Sequence, residues 1–328
     1  MADVAARVGV SRALVSLVFR DEPGASNQTR ERVFQAAAEL GYRPDSAARV
    51  LARNHSRVLG VTLTVRNPFH ADLVERIYPV AEQLGYDILI SATAPSRDER
   101  KSVEALMGHR CEALVLLGPD TEDAALAELG GRIPIVVVGR RIPEAGVDTV
   151  HTAEAKGVRQ AMDHLAELGH RSILHIDGGN APGAKERRGA YRAAMRKHGL
   201  SEHARVLRGD HTEESGARAA RLLLAEQAEL PTAILASNDR CAMGLLDALR
   251  RAGVEVPGQV SVVGYDDSHV AHFSHIDLTT VHQDSDRMAE YAVRALVNRI
   301  ADPNQQPQEL VLDAKLIVRG TTAPPRNQ

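Results

Sequence analysis

From residue 57 onward the chain alternates between two textures, and few folds accept that alternation. Short runs rich in Val, Ile and Leu occur at 58–65, 87–91, 113–117 and 135–138, then at 172–176, 205–208, 233–236 and 260–265. Between them lie stretches with helical spacing of apolar residues, near 71–84, 97–107, 123–129, 155–168, 187–198, 213–226 and 241–252. Strands alternating with helices imply parallel sheets covered on both faces. The series is too long for one small sheet, and its pattern restarts near residue 155. Two similar lobes with a cleft between them are therefore expected, with a ligand at the carboxyl ends of the strands. Only 3% of residues are aromatic and none is Trp, while 44% are hydrophobic, so Leu, Val, Ile and Ala must fill both cores.

The first fifty or so of the 328 residues lack this alternation. Asp3-Val4-Ala5-Ala6-Arg7-Val8 runs through Gly9 into Ser11-Arg12-Ala13-Leu14-Val15-Ser16-Leu17-Val18-Phe19. Gly9 supplies a turn where positive φ costs little, and Ser11 can cap the second helix. Leu14, Val15, Val18 and Phe19 share one face, which should pack inward. Arg12, Ala13, Ser16, Leu17 and Arg20 remain on the other, the face that a helix-turn-helix presents to a major groove. A third helix is expected over 29–40, capped by Ser26, stopped at Gly41 and buried through Val33, Phe34, Ala37 and Leu40. A segment at 46–52 reads as a short helix that orders only when held by a partner.

Charge supports the division. The chain carries a net charge of −3, too little positive charge for a general nucleic-acid coat. Residues 1–57 hold nine Arg against six acidic residues, so a basic head precedes an acidic body. Cys111 and Cys241 lie far apart in apolar surroundings, as expected of free buried thiols in a reducing compartment. With no N-terminal apolar signal and no run long enough to span a bilayer, a cytoplasmic protein with no membrane partner is expected.

The motifs resemble those of the lactose-repressor (LacI/GalR) family of bacterial transcription regulators along essentially the whole chain, in order. They include Asp3-Val4-Ala5, Gly9-Val10-Ser11, Thr29-Arg30-Glu31-Arg32-Val33 and Leu40-Gly41-Tyr42-Arg43-Pro44. Asn67-Pro68-Phe69, Leu168-Gly169-His170-Arg171, Ser237-Asn238-Asp239 and the run from Val260 to Asp267 continue the likeness. The resemblance implies an all-α helix-turn-helix headpiece (1–43), a hinge helix or linker (44–56) and a two-lobed periplasmic-binding-protein-like α/β core with parallel sheets (57–328). The first lobe is expected at about 57–153 and 282–305, the second at about 154–281 and 306–322. It further implies a homodimer or tetramer on palindromic double-stranded operator DNA, with repressor activity controlled by a small-molecule effector, most commonly a sugar.

By the same resemblance, Ser11, Arg12, Ala13, Ser16, Leu17 and Thr29 are the DNA-contact candidates, and Leu51 is the apolar wedge that levers a minor-groove step apart. Arg12 suits a guanine edge and Ala13 a thymine methyl, though a phosphate contact is an equal reading for Arg12. Leu17 stands where many members carry a polar reader. Leu51 also has a plainer reading, as a linker residue covering the core. Relatives carry a few residues before the segment matching Asp3, including a capping Thr; here the first helix is expected to begin near Met1 without that cap.

The effector-binding candidates implied by the resemblance are Phe69 and His70 from the first lobe, and Arg187, His211, Asn238 and Asp266 from the second. Arg187 suits hydroxyls or a carboxylate, Asn238 offers donor and acceptor, and Asp266 suits vicinal hydroxyls. His211 replaces a usual large aromatic. His151-Thr152 stands where relatives show Asp-Asn, leaving that crossover's role open. His269, His272 and His275 recur at intervals of three, but a metal site needs three or four convergent ligands, and neither metal nor cofactor is expected. Two rivals stand against the regulator: an enzyme, and a sugar-binding protein on the same fold. An enzyme is disfavoured because the chain has no phosphate-cradling Gly-rich loop, nucleophile elbow or zinc-binding helix motif. A transport binding protein would need export.

Overall fold

The computed structural model describes residues 1–19, 22–42, 55–142, 146–226 and 229–326. The expected linker helix and Leu51 lie outside the described residues. The chain divides into two compact units, Met1–Ser56 and Arg57–Gln328.

The first unit packs α1 (Ala2–Val8), α2 (Arg12–Phe19) and α3 (Asn27–Glu39) around Val4, Ala5, Val8, Val15, Val18, Val33, Ala36 and Ala37. Gly9 ends α1 at φ +74°, with its N–H bonded to the Ala5 carbonyl at 2.9 Å. Met1 occupies the N-cap position of α1 without a side-chain cap. Ser26 caps α3 by accepting the Thr29 N–H at 3.2 Å. The expected α3 stripe needs correcting: Phe34 is 51% and Leu40 46% exposed. Val33, Ala36 and Ala37, at spacings of three and four, form the buried face instead. Phe34 meets Phe19 with the rings nearly perpendicular, at 5.7 Å between ring centres.

The second unit contains two six-stranded sheets. The first has the order β11-β5-β4-β3-β1-β2, built from β1 (Val58–Thr64), β2 (Asp87–Thr93), β3 (Ala113–Leu117), β4 (Ile135–Val138), β5 (Asp148–Thr152) and β11 (Glu309–Leu312). All its pairings are parallel. The second has the order β12-β10-β9-β8-β6-β7, from β6 (Ile173–Ile176), β7 (Arg205–Leu207), β8 (Ala233–Leu235), β9 (Ser261–Asp266), β10 (Thr279–His282) and β12 (Lys315–Ile317). Only its β10–β12 pair is antiparallel. The first lobe carries α4 (Pro68–Gln83), α5 (Glu99–Gly108), α6 (Asp123–Gly130) and α11 (Ser285–Ala301). The second carries α7 (Glu154–Glu167), α8 (Ala184–Lys197), α9 (Glu213–Ala225) and α10 (Asp239–Arg251). The cores are mainly aliphatic, as the composition requires, with Phe69, Tyr86, Tyr191 and Tyr265 among them. Among the described residues no helix is long and apolar enough to cross a membrane.

The expected lobe boundaries need one correction. Residues 309–312 do not belong to the second lobe: β11 joins the first sheet beside β5, with Glu309 opposite Thr149, and Leu312 enters the core that holds Val150. Only β12 returns to the second sheet, Ile317 opposite Thr280. The chain therefore passes between the sheets three times, after β5, β10 and β11. Those crossovers frame the cleft.

Candidate functional site

Six side chains singled out from the sequence, Phe69, His70, Arg187, His211, Asn238 and Asp266, line one cavity of about 220 Å³ between the lobes of the core. All but His211, which lies in the loop between β7 and α9, arrive on a strand end or in the first turn of a helix or its cap. Asn67 caps α4 by accepting the Phe69 N–H at 3.1 Å, and Pro68 stands in the first helical turn, where its missing N–H costs nothing. That start points Phe69 and His70 at the cavity. Asn238 caps α10 by accepting the Cys241 N–H at 2.9 Å, which leaves its amide nitrogen for the cavity. Asp266 closes β9 at φ +121°, followed by Asp267 at +54°. Two successive non-glycine residues at positive φ are strained, and such strain gathers at functional sites.

That backbone separates the adjacent carboxylates. Asp266 lines the cavity and accepts the Gln283 amide N–H at 2.8 Å. Asp267 turns to Arg319 at 2.6 Å and His282 at 2.9 Å. Burial would raise Asp267, but His282 and Arg319 outweigh it and hold the carboxyl below its usual range. Burial pushes Asp266 well above that range, and Arg187 opposes the shift only in part.

Arg187 is buried and heavily engaged. Its Nε and Nη2 donate to the two Glu154 oxygens at 2.7 and 3.3 Å, and Nη1 donates to the Ser237 carbonyl at 2.6 Å. Its guanidinium lies 3.6 Å from the centre of the Tyr265 ring. Burial alone would lower its pKa; Glu154 more than offsets this, so the group stays charged. The histidines behave oppositely. His70 accepts the Thr64 N–H on Nδ1 at 3.0 Å, and burial takes its pKa down to about 4. Burial and then Arg187 take His211 down to about 3, and its covered Nε2 has no hydrogen-bond partner among the described residues. Both rings are neutral near pH 7.

Sequence reasoning missed Glu154 and Gln283. Glu154 lies 33 residues from Arg187 at the start of α7, where no motif marks it. Gln283 donates to Asp266 and accepts the Thr152 hydroxyl at 2.8 Å, so the crossover after β5 is tied to the cavity's acceptor. His151 instead faces Glu309 at 2.8 Å. A larger cavity of about 1280 Å³ shares Thr64, Gly118 and Arg240 with the inner one and opens beside Arg66 and Arg97. The inner cavity is the better candidate, because buried polar groups converge there from both lobes.

The three spaced histidines do not converge. His269 pairs with Asp72, His272 lies 3.3 Å from Asp267, and His275 stacks on Phe273 at 5.8 Å. No group able to hold a metal occurs among the described residues.

In the headpiece, Ser11, Arg12 and Ala13 are exposed at the start of α2, while Ser16, Leu17 and Thr29 are half-buried. The Ser11 hydroxyl accepts the Leu14 N–H at 3.1 Å. The Thr29 and Ser26 hydroxyls stand 2.9 Å apart. Leu17 packs over Gly24, where a Cβ would stand 3.1 Å from it, so it is less free to reach outward than Arg12.

Residues 1–45 match the model described as bacterial regulatory proteins, lacI family, and residues 162–322 match a periplasmic binding protein-like domain. The chain is 32% identical to the ribose operon repressor of Escherichia coli (strain K12), over 98% of this chain and 99% of that protein. A LacI transcriptional regulator from a Rhodococcus species is similar in structure at a TM-score of 0.78, with 47% identity over 81% of this chain and 98% of that one. The lac repressor dimer bound to operator and the anti-inducer ONPF superposes with a TM-score of 0.82, at 27% identity over 98% of both chains.

Proposed function

The chain belongs to the lacI family of bacterial regulatory proteins, and from that premise we propose that it is a transcriptional repressor whose operator affinity is set by a small polyhydroxylated effector, a sugar, held between its lobes. The observation that carries this reading is the 220 Å³ cavity, in which Arg187, Asn238 and Asp266 from one lobe face Phe69 and His70 from the other. At about 30 Å³ per liquid water, that space corresponds to about seven waters and suits a ligand smaller than a drug-sized molecule. Its polar lining mixes donors and acceptors, as vicinal hydroxyls require. One repressor in the comparison is named for a ribose operon, and another was captured as a dimer on operator.

The division of labour follows. Ser11, Arg12, Ala13, Ser16, Leu17 and Thr29 contact a palindromic operator from a homodimer, and the linker at 44–56, with Leu51, joins headpiece to core. The effector bridges the lobes and favours one of their relative arrangements, and operator affinity shifts by that differential affinity and no more. The protein acts in the cytoplasm and turns nothing over. The relatives' regulatory role supports that statement, and recovery of chemically unchanged sugar after incubation would check it.

The decisive experiment pairs thermal shift with operator binding. Neutral pentoses, hexoses and nucleosides are screened on the full chain, since a ligand specific for the folded form raises the melting temperature. The sugar found should alter operator affinity and lose its effect in Arg187→Ala. A nucleoside, but no sugar, producing the shift would overturn the sugar reading.

A further inference from the structure

Resting on the reading of the inner cavity as the effector site, we propose that Glu154 sets the charge of the effector: it restricts the site to uncharged polyols and excludes sugar phosphates and sugar acids.

The Arg187 guanidinium has five N–H groups. Three are already used, two by Glu154 and one by the Ser237 carbonyl. Two remain, one on each terminal nitrogen. Asp266 Oδ1 lies 4.0 Å from Nη2, on the cavity side. The Arg187 guanidinium therefore faces two carboxylates before any ligand arrives. Gly183 closes over the pair: its φ is +76°, and a Cβ there would stand 2.9 Å from Glu154 Oε1 and 3.2 Å from Arg187 Nη2. The backbone leaves no room for Glu154 to be displaced on that side.

The other charged groups do not restore a positive site. Arg240, also buried on the lining, lies 2.5 Å from a Glu213 oxygen, which balances its charge. Asp120 adds a carboxylate to the lining. His70 and His211 bring no charge at neutral pH. Whether Asp266 is ionised or protonated, the cavity has no net positive charge to offer.

A neutral polyol satisfies such a site. Its hydroxyls accept the two remaining Arg187 N–H groups and donate to Asp266. A phosphate or carboxylate would be stripped of water beside two carboxylates and a cation already neutralised, a burial that costs free energy without a compensating pair.

The test is calorimetric titration of the full chain with neutral pentoses and hexoses, their 5- or 6-phosphates, and D-glucuronate. The neutral sugar that binds should exceed its own phosphate by at least about 100-fold, a gap comparable to that between paired and unpaired buried charge. Glu154→Gln keeps the side-chain shape and returns a full charge to Arg187, so the gap should narrow at least about tenfold, while Glu154→Asp should keep it. A phosphorylated sugar that binds wild type as tightly as the neutral one overturns the proposal and leaves the sugar reading standing. So does an unchanged gap in a folded Glu154→Gln variant. Binding of neither class overturns the sugar reading itself and this proposal with it. The wild-type comparison needs no variant to fold.

Discussion

His269 of the second lobe holds Asp72 of the first by two bonds: ring Nδ1 to Oδ1 at 2.6 Å, and backbone N–H to Oδ2 at 2.9 Å. Asp72 is buried on α4, two residues beyond His70, while the His269 side chain is half exposed. The neighbouring Ser268 N–H and hydroxyl both donate to Asp239, beside the cavity residue Asn238. The clamp thus sits one residue from a network that ends at the inner cavity.

Unequal losses are expected from the two partners. Asp72→Ala removes both bonds and leaves the His269 N–H without its acceptor; His269→Ala removes only the exposed ring's bond. Stability of the core should fall by about 1–2 kcal/mol in the first and by about 0.5 kcal/mol in the second. Urea unfolding of the two variants and the double mutant measures this. Equal losses would mean the backbone bond contributes nothing.

The closest helix contact in the core predicts a larger effect. A Cβ on Gly216 of α9 would stand 1.9 Å from the Cys241 carbonyl oxygen, and one on Gly244 of α10 would stand 1.9 Å from that of Glu213. Both obstacles are backbone, so neither can rotate away. The N-cap residues of these helices, Thr212 and Asn238, lie on the cavity wall. Gly244→Ala or Gly216→Ala should cost about 3 kcal/mol or more and weaken effector binding as well, because separating the helices moves the wall. Differential scanning calorimetry with and without the sugar would read both effects.

The buried histidines should withdraw stability in acid. His70 and His175 are depressed by burial from 6.5 to about 4, and His211 to about 3. Below about pH 6.5 the unfolded chain binds these protons and the folded chain does not, so stability present above 6.5 is lost as pH falls toward the folded values. Asp239 works in the opposite sense. Burial raises it to about 7, so its contribution is full below its ordinary 3.8 and is lost as pH rises through 7. Asp266, which burial also raises, acts in the same sense as Asp239, so the histidine contribution is read at a single site. His175→Gln, which can keep the bond to the Leu235 carbonyl, should match wild type near pH 7 and recover about 2 kcal/mol at pH 5. Melting curves at the two pH values suffice. An equal acid loss in both proteins would remove His175 from the account.

Periodic segments with a strong apolar signal were legible in the chain. Strands 113–117 and 135–138 emerge at their expected limits because each is a continuous aliphatic run. β5, Asp148-Thr149-Val150-His151-Thr152, was not seen, since four of its five residues are polar and its burial comes from neighbours on both sides. β11 was assigned to the wrong lobe for a related reason: a strand's sheet is chosen by a partner distant in sequence. Cavity residues on motif-bearing turns were found through resemblance. Glu154 and Gln283 were not, because each acts through a partner, Arg187 or Asp266, that local sequence does not reveal.

The headpiece offers a test between two roles for Arg12. Its side chain is exposed at the start of α2, with Ala13 beside it and Ser11 spent on the helix cap. If Arg12 reads a guanine edge through two hydrogen bonds, Arg12→Ala should weaken the preferred operator by about 1–3 kcal/mol and relax preference at one base pair per half-site. If it grips a phosphate, the loss should be uniform across sequences and the dependence of log affinity on log salt should flatten by about 0.9. Both outcomes require a protein whose operator binding weakens steeply with salt, because its basic head releases counterions on docking. The exposed position at the helix start favours the base contact, so we expect the sequence-dependent loss. Anisotropy titrations of wild type and Arg12→Ala, on the preferred operator and on duplexes changed at single base pairs, over 50–200 mM salt, separate the two roles.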